Sequence, residues 1–315
     1  MAEVFAVEKF HRTVIDPDLV KKWVAHAQVK PSSLKTYMKG IRRLSEYLTR
    51  EGISMPTRED LFAYRDYLGK KYLANTANLY LTAAKLFFEF LATEGIIPIN
   101  IGDRIKGFKI DEGHKKAAFA PAEIKKISDS FDTSTLKGKR NKAMIALMAT
   151  AGLRTIEIVR ADVGDIDYSM GKYFLHVQGK GRDDKTATVH IPTGVYNLIQ
   201  DYLKMRGKVS GKTPEGTDAL FASVSCRNFD GRMLSTSISR IVKETFRANG
   251  FDSKTLTAHS LRHTAATTAL RNHASLREVQ QMLRHKNIAV TQIYLHELTR
   301  YDNRAEDLAA EAFGF

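Results

Sequence analysis

The segment TAHSLRHTAATTAL, residues 257–270, decides how the rest of the chain is interpreted. In a helix, His259 and Arg262 share a face because they are three residues apart, and His263 lies one turn beyond His259. Arginine offers a permanently charged, planar fork of donors, and histidine offers a donor that can also transfer a proton. The pair suits the binding of a phosphate group. A surface helix with incidental basic residues is the plainer alternative.

The two histidines of this segment also raise the question of a metal site. His259 and His263 have the spacing of the zinc-binding pair in metalloprotease helices. However, the residue after His259 is Ser260 and not the glutamate of that motif, and Arg262 between the histidines would repel a cation. We therefore expect no metal and no other cofactor.

An acidic and basic pair lies upstream, in ATAGLRTIEIVRADVGDID, residues 149–167. Arg154 follows Gly152, and Glu157 comes three residues later. A carboxylate at that offset can hold an arginine or a histidine in place, or it can form a routine helical ion pair. Turn formation before the next strand, and not metal binding, is predicted for three aspartates: Asp162, Asp165 and Asp167.

The downstream segment QMLRHKNIAVTQIYLHE, residues 281–297, adds His285 and Tyr294. Taken alone, Tyr294 is typical of a half-buried core tyrosine in an apolar helix. Only its combination with the other two segments makes it a candidate for chemistry.

Between the segments of residues 149–167 and 257–270, the pattern predicts a β-hairpin. Residues 173–178 and 186–191 alternate as strands do, and the turn-rich loop GKGRDDK joins them. Helices are predicted on both sides of the hairpin. They include one with Pro121 in its first turn, one that ends at Gly152, and one that begins with the capping box of Ser275 and Glu278. This region is therefore predicted to be mixed α and β.

The N-terminal part of the chain has a purely helical pattern. LKTYMKGIRRLSEYL, residues 34–48, places apolar side chains three and four residues apart, and Ser33 is a candidate N-cap. Thr57 and Asp60 form a capping box for the next helix. A further amphipathic helix is predicted over residues 75–90. We expect about four helices over residues 17–101.

Composition and pattern together predict the domain organisation. A lead of residues 1–16 precedes the helical domain of residues 17–101, and the glycine-containing basic segment 102–116 is the predicted linker. The second domain is expected over residues 117–300, followed by a tail of residues 301–315.

The charge of the chain indicates a nucleic-acid partner. It has 49 Lys and Arg against 35 Asp and Glu, for a net charge of +14 and a pI near 9.7. The basic clusters are spread along the chain, which suits a protein that encloses a duplex. The single cysteine, Cys226, excludes an internal disulfide and a cysteine zinc cluster. With no long apolar run, a cytoplasmic, nucleoid-associated protein is expected.

Three segments of the chain, in this order, resemble the three sequence boxes of the tyrosine recombinases, or phage-type integrases, including the Xer proteins. They are ATAGLRTIEI, HSLRHTAAT and LRHKNIAVTQIY. The segment VQGKGRDDKTATVHIP resembles the β-hairpin that carries the family's catalytic lysine, and residues 17–101 resemble its core-binding domain. The resemblance covers nearly the whole chain. It implies a mainly α two-domain DNA clamp with a small antiparallel sheet in the C-terminal catalytic domain.

The resemblance also assigns roles to individual residues. Tyr294 would be the nucleophile, and Glu157 would fill a supporting acidic position. Lys180 would protonate the leaving 5′-oxygen, although Lys172 and Lys185 lie on or near the same hairpin. The groups around the scissile phosphate would be Arg154, Arg262, His259 and His285.

Two departures from the family pattern concern the backbone. Arg284 stands where members commonly have glycine before the second histidine, and Asn272–His273 replaces a usual glycine after the HSLRHTAAT box. Since neither position is catalytic, we expect them to affect local backbone shape more than activity.

The implied activity is site-specific recombination. One strand is cut, a 3′-phosphotyrosyl link forms, and exchange proceeds through a Holliday junction without metal or ATP. The expected partners are double-stranded DNA at core sites and further copies of the chain, as a dimer and a tetramer. The alternatives are a type IB topoisomerase-like enzyme, a non-catalytic DNA-binding protein of the same fold and a metal-dependent transposase.

Overall fold

The computed structural model describes residues 15–27, 29, 31–110, 118–179, 184–301 and 305–314. By its internal contacts the chain divides into two compact units, Met1–Gly113 and His114–Phe315. The described residues are mostly helical with one small antiparallel sheet in the second unit, so the predicted fold class is confirmed. None of the helices within these described ranges is long and apolar enough to cross a membrane.

The first unit is a bundle of four helices within its described part. They are α1 (Pro17–His26), α2 (Pro31–Arg50), α3 (Arg58–Lys71) and α4 (Ala74–Thr93). The capping box of α3 is confirmed, because the Asp60 backbone N–H donates to Thr57 Oγ1 and the Thr57 N–H donates to Asp60 Oδ2. The N-cap prediction for Ser33 is wrong. The helix begins two residues earlier, at Pro31, whose missing N–H costs nothing in a first turn.

The helices α2 and α4 approach closely at a glycine. A Cβ added to Gly40 of α2 would lie 2.7 Å from the Cβ of Ala83 in α4. On the same helix α4, Phe87 and Phe88 are fully buried, and the ring of Trp23 from α1 meets Phe87 edge-on at 5.8 Å. The core of this unit therefore depends on small residues at one contact and large aromatic rings at the next.

The second unit surrounds a central helix, more than half of whose residues are buried, with further helices and a three-stranded sheet. In chain order its elements are α5 (Pro121–Asp129), α6 (Leu136–Ala151), α7 (Thr155–Arg160), a short 3-10 turn (Val163–Asp165), β1 (Ile166–Ser169), β2 (Lys172–Val177), β3 (Ala187–Ile191), α8 (Thr193–Ser210), α9 (Ser235–Ala248), α10 (Ala258–Arg271), α11 (Leu276–Leu283), α12 (Ala289–Tyr301) and α13 (Ala305–Phe313). Helix α6 packs against α8 and α10, and its Met144, Leu147 and Met148 are fully buried.

The sheet has the order β1-β2-β3 with antiparallel neighbours. The predicted hairpin is confirmed, with Tyr173 opposite Ile191 and Val177 opposite Ala187. The strand β1 was not predicted. It has only four residues, which are too few to predict a strand, and three of them are exposed. Asp167 lies in this strand, and its predicted role in a turn is therefore wrong.

Gly40→Ala should destabilise the first unit. The added methyl group would force α2 and α4 apart, and overpacking of this kind costs about 1–3 kcal/mol, partly offset by the better helix propensity of alanine. Thermal unfolding followed by circular dichroism measures the loss. Gly194→Ala is the control, because an added Cβ there meets no atom within 4 Å. Equal stability of both variants would contradict the close packing of α2 on α4.

Candidate active site

The end of α6 determines where Arg154 lies. Gly152 takes the left-handed conformation with φ 59° and ψ 34°, which ends the helix, and Leu153 is buried. Arg154 is the N-cap of α7, and its backbone N–H donates to Glu157 Oε2 at 2.8 Å. Its Nη1 donates to Glu157 Oε1 at 2.9 Å, with 28% of the arginine side chain exposed and none of the glutamate. Glu157 thus caps α7 and orients the guanidinium with the same carboxylate.

Arg262 enters the same region from α10 and is completely buried. Its Nη1 donates to the Gly152 carbonyl at 2.5 Å, and its Nη2 donates to the Leu283 carbonyl. Both carbonyls lie at helix C-terminal ends, which carry a partial negative charge and lack partners within the helix. Two helix ends, those of α6 and α11, therefore stabilise one buried cation.

Burial lowers the pKa of Arg262 to about 9, and repulsion from Arg154 and Arg284 acts in the same direction. The guanidinium remains charged at neutral pH. Within the described part of the chain, its Nε has no hydrogen-bond partner. Because a buried donor without a partner is costly, an acceptor such as a phosphate oxygen would satisfy it.

Arg284 is the third arginine of the region, and its replacement of the family's glycine was expected to affect local backbone shape more than activity. It follows α11 in the left-handed conformation, with φ 57° and ψ 41°. Its side chain is 11% exposed, and its Nη2 donates to Glu157 Oε2 at 2.7 Å. The sequence signal for this contact was an arginine at a position where glycine is common, but its partner could not be identified from spacing.

The buried carboxylate of Glu157 stays ionised. Burial alone would raise the pKa of Glu157, but the charges and hydrogen bonds of Arg284 and Arg154 outweigh it and lower the pKa below its usual value. One anion is therefore shared by two cations, and the cluster keeps a net positive charge.

His285, just after α11, and Tyr294, in the middle of α12, lie side by side. The rings are nearly parallel, at 7° with centroids 6.3 Å apart, and His285 Nδ1 is hydrogen-bonded to Thr291 Oγ1 at 2.9 Å. Tyr294 is 2% exposed, and its ring also lies 5.0 Å from that of His263. Tyr294 contributes to the electrostatic surroundings of Arg262, so these residues share one site.

Burial, together with the neighbouring arginines, keeps His285 uncharged. Burial is the largest cause, and the charges of Arg262, Arg154 and Arg284 add to it, so that the pKa of His285 falls to about 4. His259, partly exposed in the first turn of α10, acts on His285 in the same sense. At neutral pH the His285 ring can therefore take part in hydrogen bonding or proton transfer as a neutral imidazole.

The two histidines of α10 have different surroundings. His263 is 3% exposed and packs on the ring of Tyr294, whereas His259 is partly exposed. Over the described ranges, no three His, Cys, Asp or Glu side chains converge as metal ligands would.

Lys180 lies outside the described residues. The structure does describe Lys172 and Lys185, the two other lysines on or near the hairpin. Lys185 Nζ lies 2.5 Å from both Asp162 Oδ2 and Asp165 Oδ2. Burial lowers the pKa of Lys185, but the two carboxylates outweigh this and raise it above the usual value. Lys172 is exposed at the start of β2, at the opposite end of the strand from the hairpin loop.

The turn predicted for the aspartates is confirmed at two of them. The backbone N–H of Asp162 donates to Asp165 Oδ2 at 2.7 Å across the 3-10 turn. The Asp162 carboxylate also pairs with Arg232. Both carboxylates are therefore used in the turn and its ion pairs.

Glu157→Gln should destabilise the second unit at neutral pH, by about 1–3 kcal/mol for a buried group whose partners lose a charged acceptor. Since the pKa of Glu157 is lowered on folding, its stabilisation is complete above its unfolded pKa of about 4.3 and is lost as the pH falls through the folded value. Urea unfolding from pH 7 to pH 3 should show the difference from the unsubstituted protein shrinking on acidification. Glu278→Gln, at the exposed cap of α11, is the control with a smaller effect. A difference that stays constant with pH would contradict the buried ionised state.

Comparison with known proteins identifies the family. Residues 118–300 match the family model described as the phage integrase family, and residues 15–95 match that of the phage integrase N-terminal SAM-like domain. Tyrosine recombinase XerC of Herpetosiphon aurantiacus is 30% identical over 256 residues, which cover 79% of this chain and 80% of that protein. Tyrosine recombinase XerD of Listeria monocytogenes is 27% identical, covering 89% of this chain and 92% of that protein.

Solved structures show the same fold at low sequence identity. XerH recombinase bound to palindromic difH substrate, in a post-cleavage complex, has a TM-score of 0.71 at 19% identity, covering 90% of this chain and 80% of that one. A lambda integrase (75-356) dimer bound to a COC′ core site has a TM-score of 0.64 at 18% identity. The match covers 87% of this chain and 96% of that one. Because the family model spans more than half of the sequence, the chain belongs to the phage integrase family of tyrosine recombinases.

Proposed function

We propose that this protein is a site-specific DNA recombinase that cleaves and rejoins strands through a 3′-phosphotyrosyl intermediate on Tyr294. The observation that carries the proposal is the grouping of Tyr294 with His285, Arg262 and the Arg154–Glu157 pair. These side chains come from distant segments, and the family's members are named for this chemistry.

Charge neutralisation is the first task of the site. A phosphodiester repels nucleophiles, and its transition state gathers further negative charge on the equatorial oxygens. Arg154 is partly exposed and can reach a phosphate directly, while buried Arg262 supplies fixed charge and an unpartnered Nε. Preorganised donors of this kind act without a metal, and loss of one typically costs about 100- to 1000-fold in rate.

Proton transfer is the second task. Tyrosine has a free pKa of about 10 and needs a positive environment or a nearby base to attack at neutral pH. His285, which is neutral and beside Tyr294, and His259 at the start of α10 are the imidazoles of the site. As the phenolic oxygen bonds to phosphorus and the bond from phosphorus to the 5′-oxygen breaks, the phenolic proton passes to one of these two imidazoles.

The leaving 5′-oxygen also needs a proton, and we assign Lys180 as its donor. The raised pKa of Lys185 and its two carboxylate partners make it a poor acid. Lys172 lies at the far end of β2 from the loop. Lys180 is therefore the hairpin lysine best suited to the role.

Strand exchange follows from the covalent link. The phosphotyrosyl ester conserves the energy of the broken bond, so a 5′-hydroxyl of a partner duplex can displace Tyr294 without ATP. Two such exchanges pass through a Holliday junction. The lambda integrase tetramer solved on a Holliday junction supports assembly of this chain into dimers and tetramers on DNA. The net charge of +14 supports DNA as the partner, which agrees with the proposed nucleoid-associated location.

The domain assignment follows the same proposal. Residues 17–101 form the core-binding domain, residues 102–116 the basic linker and residues 117–300 the catalytic domain. The tail of residues 301–315 is a candidate for docking on a neighbouring subunit, and the alternative is that it packs back on its own domain.

Tyr294→Phe should abolish the covalent adduct while DNA binding survives, because only the attacking oxygen is removed. The adduct is detected on a denaturing gel after incubation with a nicked suicide substrate in EDTA. Tyr301→Phe is the matched control and should retain it. Absence of adduct from the unsubstituted protein on a verified cognate site overturns the proposed function. An adduct that persists in Tyr294→Phe moves the nucleophile to another residue, with Tyr301 next.

Lys180→Ala should lose cleavage on normal DNA and regain it on DNA with a 5′-bridging phosphorothiolate, because a thiolate leaves without a proton. Lys172→Ala and Lys185→Ala are the matched controls and should not show this selective rescue. Initial cleavage rates on the two substrates give the comparison. Failure of the sulfur substrate to rescue Lys180→Ala would remove Lys180 as the acid.

A further inference from the structure

Arg284 occupies a backbone conformation that arginine does not favour. The left-handed region crowds the Cβ of any residue other than glycine, and Arg284 has a φ of 57° there. His273, with a φ of 66°, has the same feature, but its side chain is exposed to solvent. Arg284 differs because its side chain is nearly buried, at 11% exposure.

The contacts of Arg284 explain where its side chain goes. Nη2 donates to Glu157 Oε2 at 2.7 Å, and Nη1 donates to the Met282 carbonyl at 2.6 Å. Glu157 in turn accepts hydrogen bonds from the backbone N–H and the Nη1 of Arg154. The result is a chain of contacts, Arg154–Glu157–Arg284, across residues that are more than a hundred positions apart.

The charges in this chain favour a phosphate site. A Glu157 carboxylate bound to Arg154 alone would largely cancel its charge. Binding to Arg284 as well leaves one net positive charge on the three residues, next to the buried charge of Arg262. Furthermore, Arg284 directly precedes His285, so its contact with Glu157 fixes the turn that carries this histidine.

We propose that Arg284 is a positioning residue for strand cleavage. Its guanidinium binds Glu157 and thereby holds Arg154 and the turn of His285 in one arrangement around the scissile phosphate. This inference rests on the proposed function. It replaces the expectation that the change from glycine affects local backbone shape more than activity.

Arg284→Gly and Arg284→Lys test the role in single-turnover cleavage of a suicide substrate, alongside DNA affinity. Arg284→Gly removes the fork and relieves the backbone. It should slow cleavage by about 10- to 100-fold, as is typical when a hydrogen-bond partner behind a functional ligand is lost, with affinity changed by less than about threefold. Arg284→Lys keeps the charge and should recover part of the rate. His273→Gly relieves a matched left-handed position and should cleave at the unsubstituted rate.

A double-mutant cycle with Glu157→Gln shows whether Arg284 acts through the carboxylate. The loss in the doubly substituted protein should be smaller than the product of the two single losses, because Glu157→Gln has already removed the charge and one of the acceptor oxygens that Arg284 binds. Losses that multiply would overturn the inference. So would an Arg284→Gly variant that cleaves within twofold of the unsubstituted protein. Both outcomes require an adduct in the unsubstituted protein, and its absence there would instead overturn the proposed function.

Discussion

The buried guanidinium of Arg262 is the interaction on which the rest of the site depends. A cation without solvent must find acceptors, and the Gly152 and Leu283 carbonyls provide them. Each carbonyl lies at the C-terminal end of a helix, so the same contacts satisfy groups that the helices leave unpaired. The ends of α6 and α11 are thereby held together, and with them the two turns that carry Arg154 and His285.

Charge balance follows from this geometry. Three arginines and one glutamate lie together. Glu157 and Arg262 are completely buried, whereas Arg154 and Arg284 are partly exposed. Folding therefore brings like charges into proximity before any ligand arrives. Burial and that repulsion together lower the pKa values of His285 and Arg262. A phosphate relieves it, which favours a bound anion over an empty site.

Local sequence signals predicted much of the fold, because they depend on neighbouring residues. The Thr57–Asp60 and Ser275–Glu278 capping boxes and the helix end at Gly152 formed as expected. Ser33 failed because Pro31 is also a good first residue, and two start signals lay close together. The strand β1 is formed by pairing with β2, and its own four residues are too few to predict a strand.

The candidate site was predictable to a different degree. Resemblance to a family supplied the residues, and the structure shows which ones meet. The resemblance could not predict the contact of Arg284 with Glu157. These residues lie in segments far apart in the chain, and the three- and four-residue spacing of a helix says nothing about such contacts.

The position of Arg284 also shows how a backbone cost and a charge gain become coupled. Glycine would relieve the left-handed strain but would leave Glu157 with one cation. Arginine accepts the strain, which is of the order of 1–3 kcal/mol, and places a hydrogen-bonded charge against a buried carboxylate. A contact of that kind holds only if the turn and the carboxylate are both rigid. The capped helix α7 and the bond from Arg262 to the Leu283 carbonyl provide that rigidity on either side. Arg284 is therefore tolerated where it lies because Arg262 and Glu157 have already fixed its surroundings.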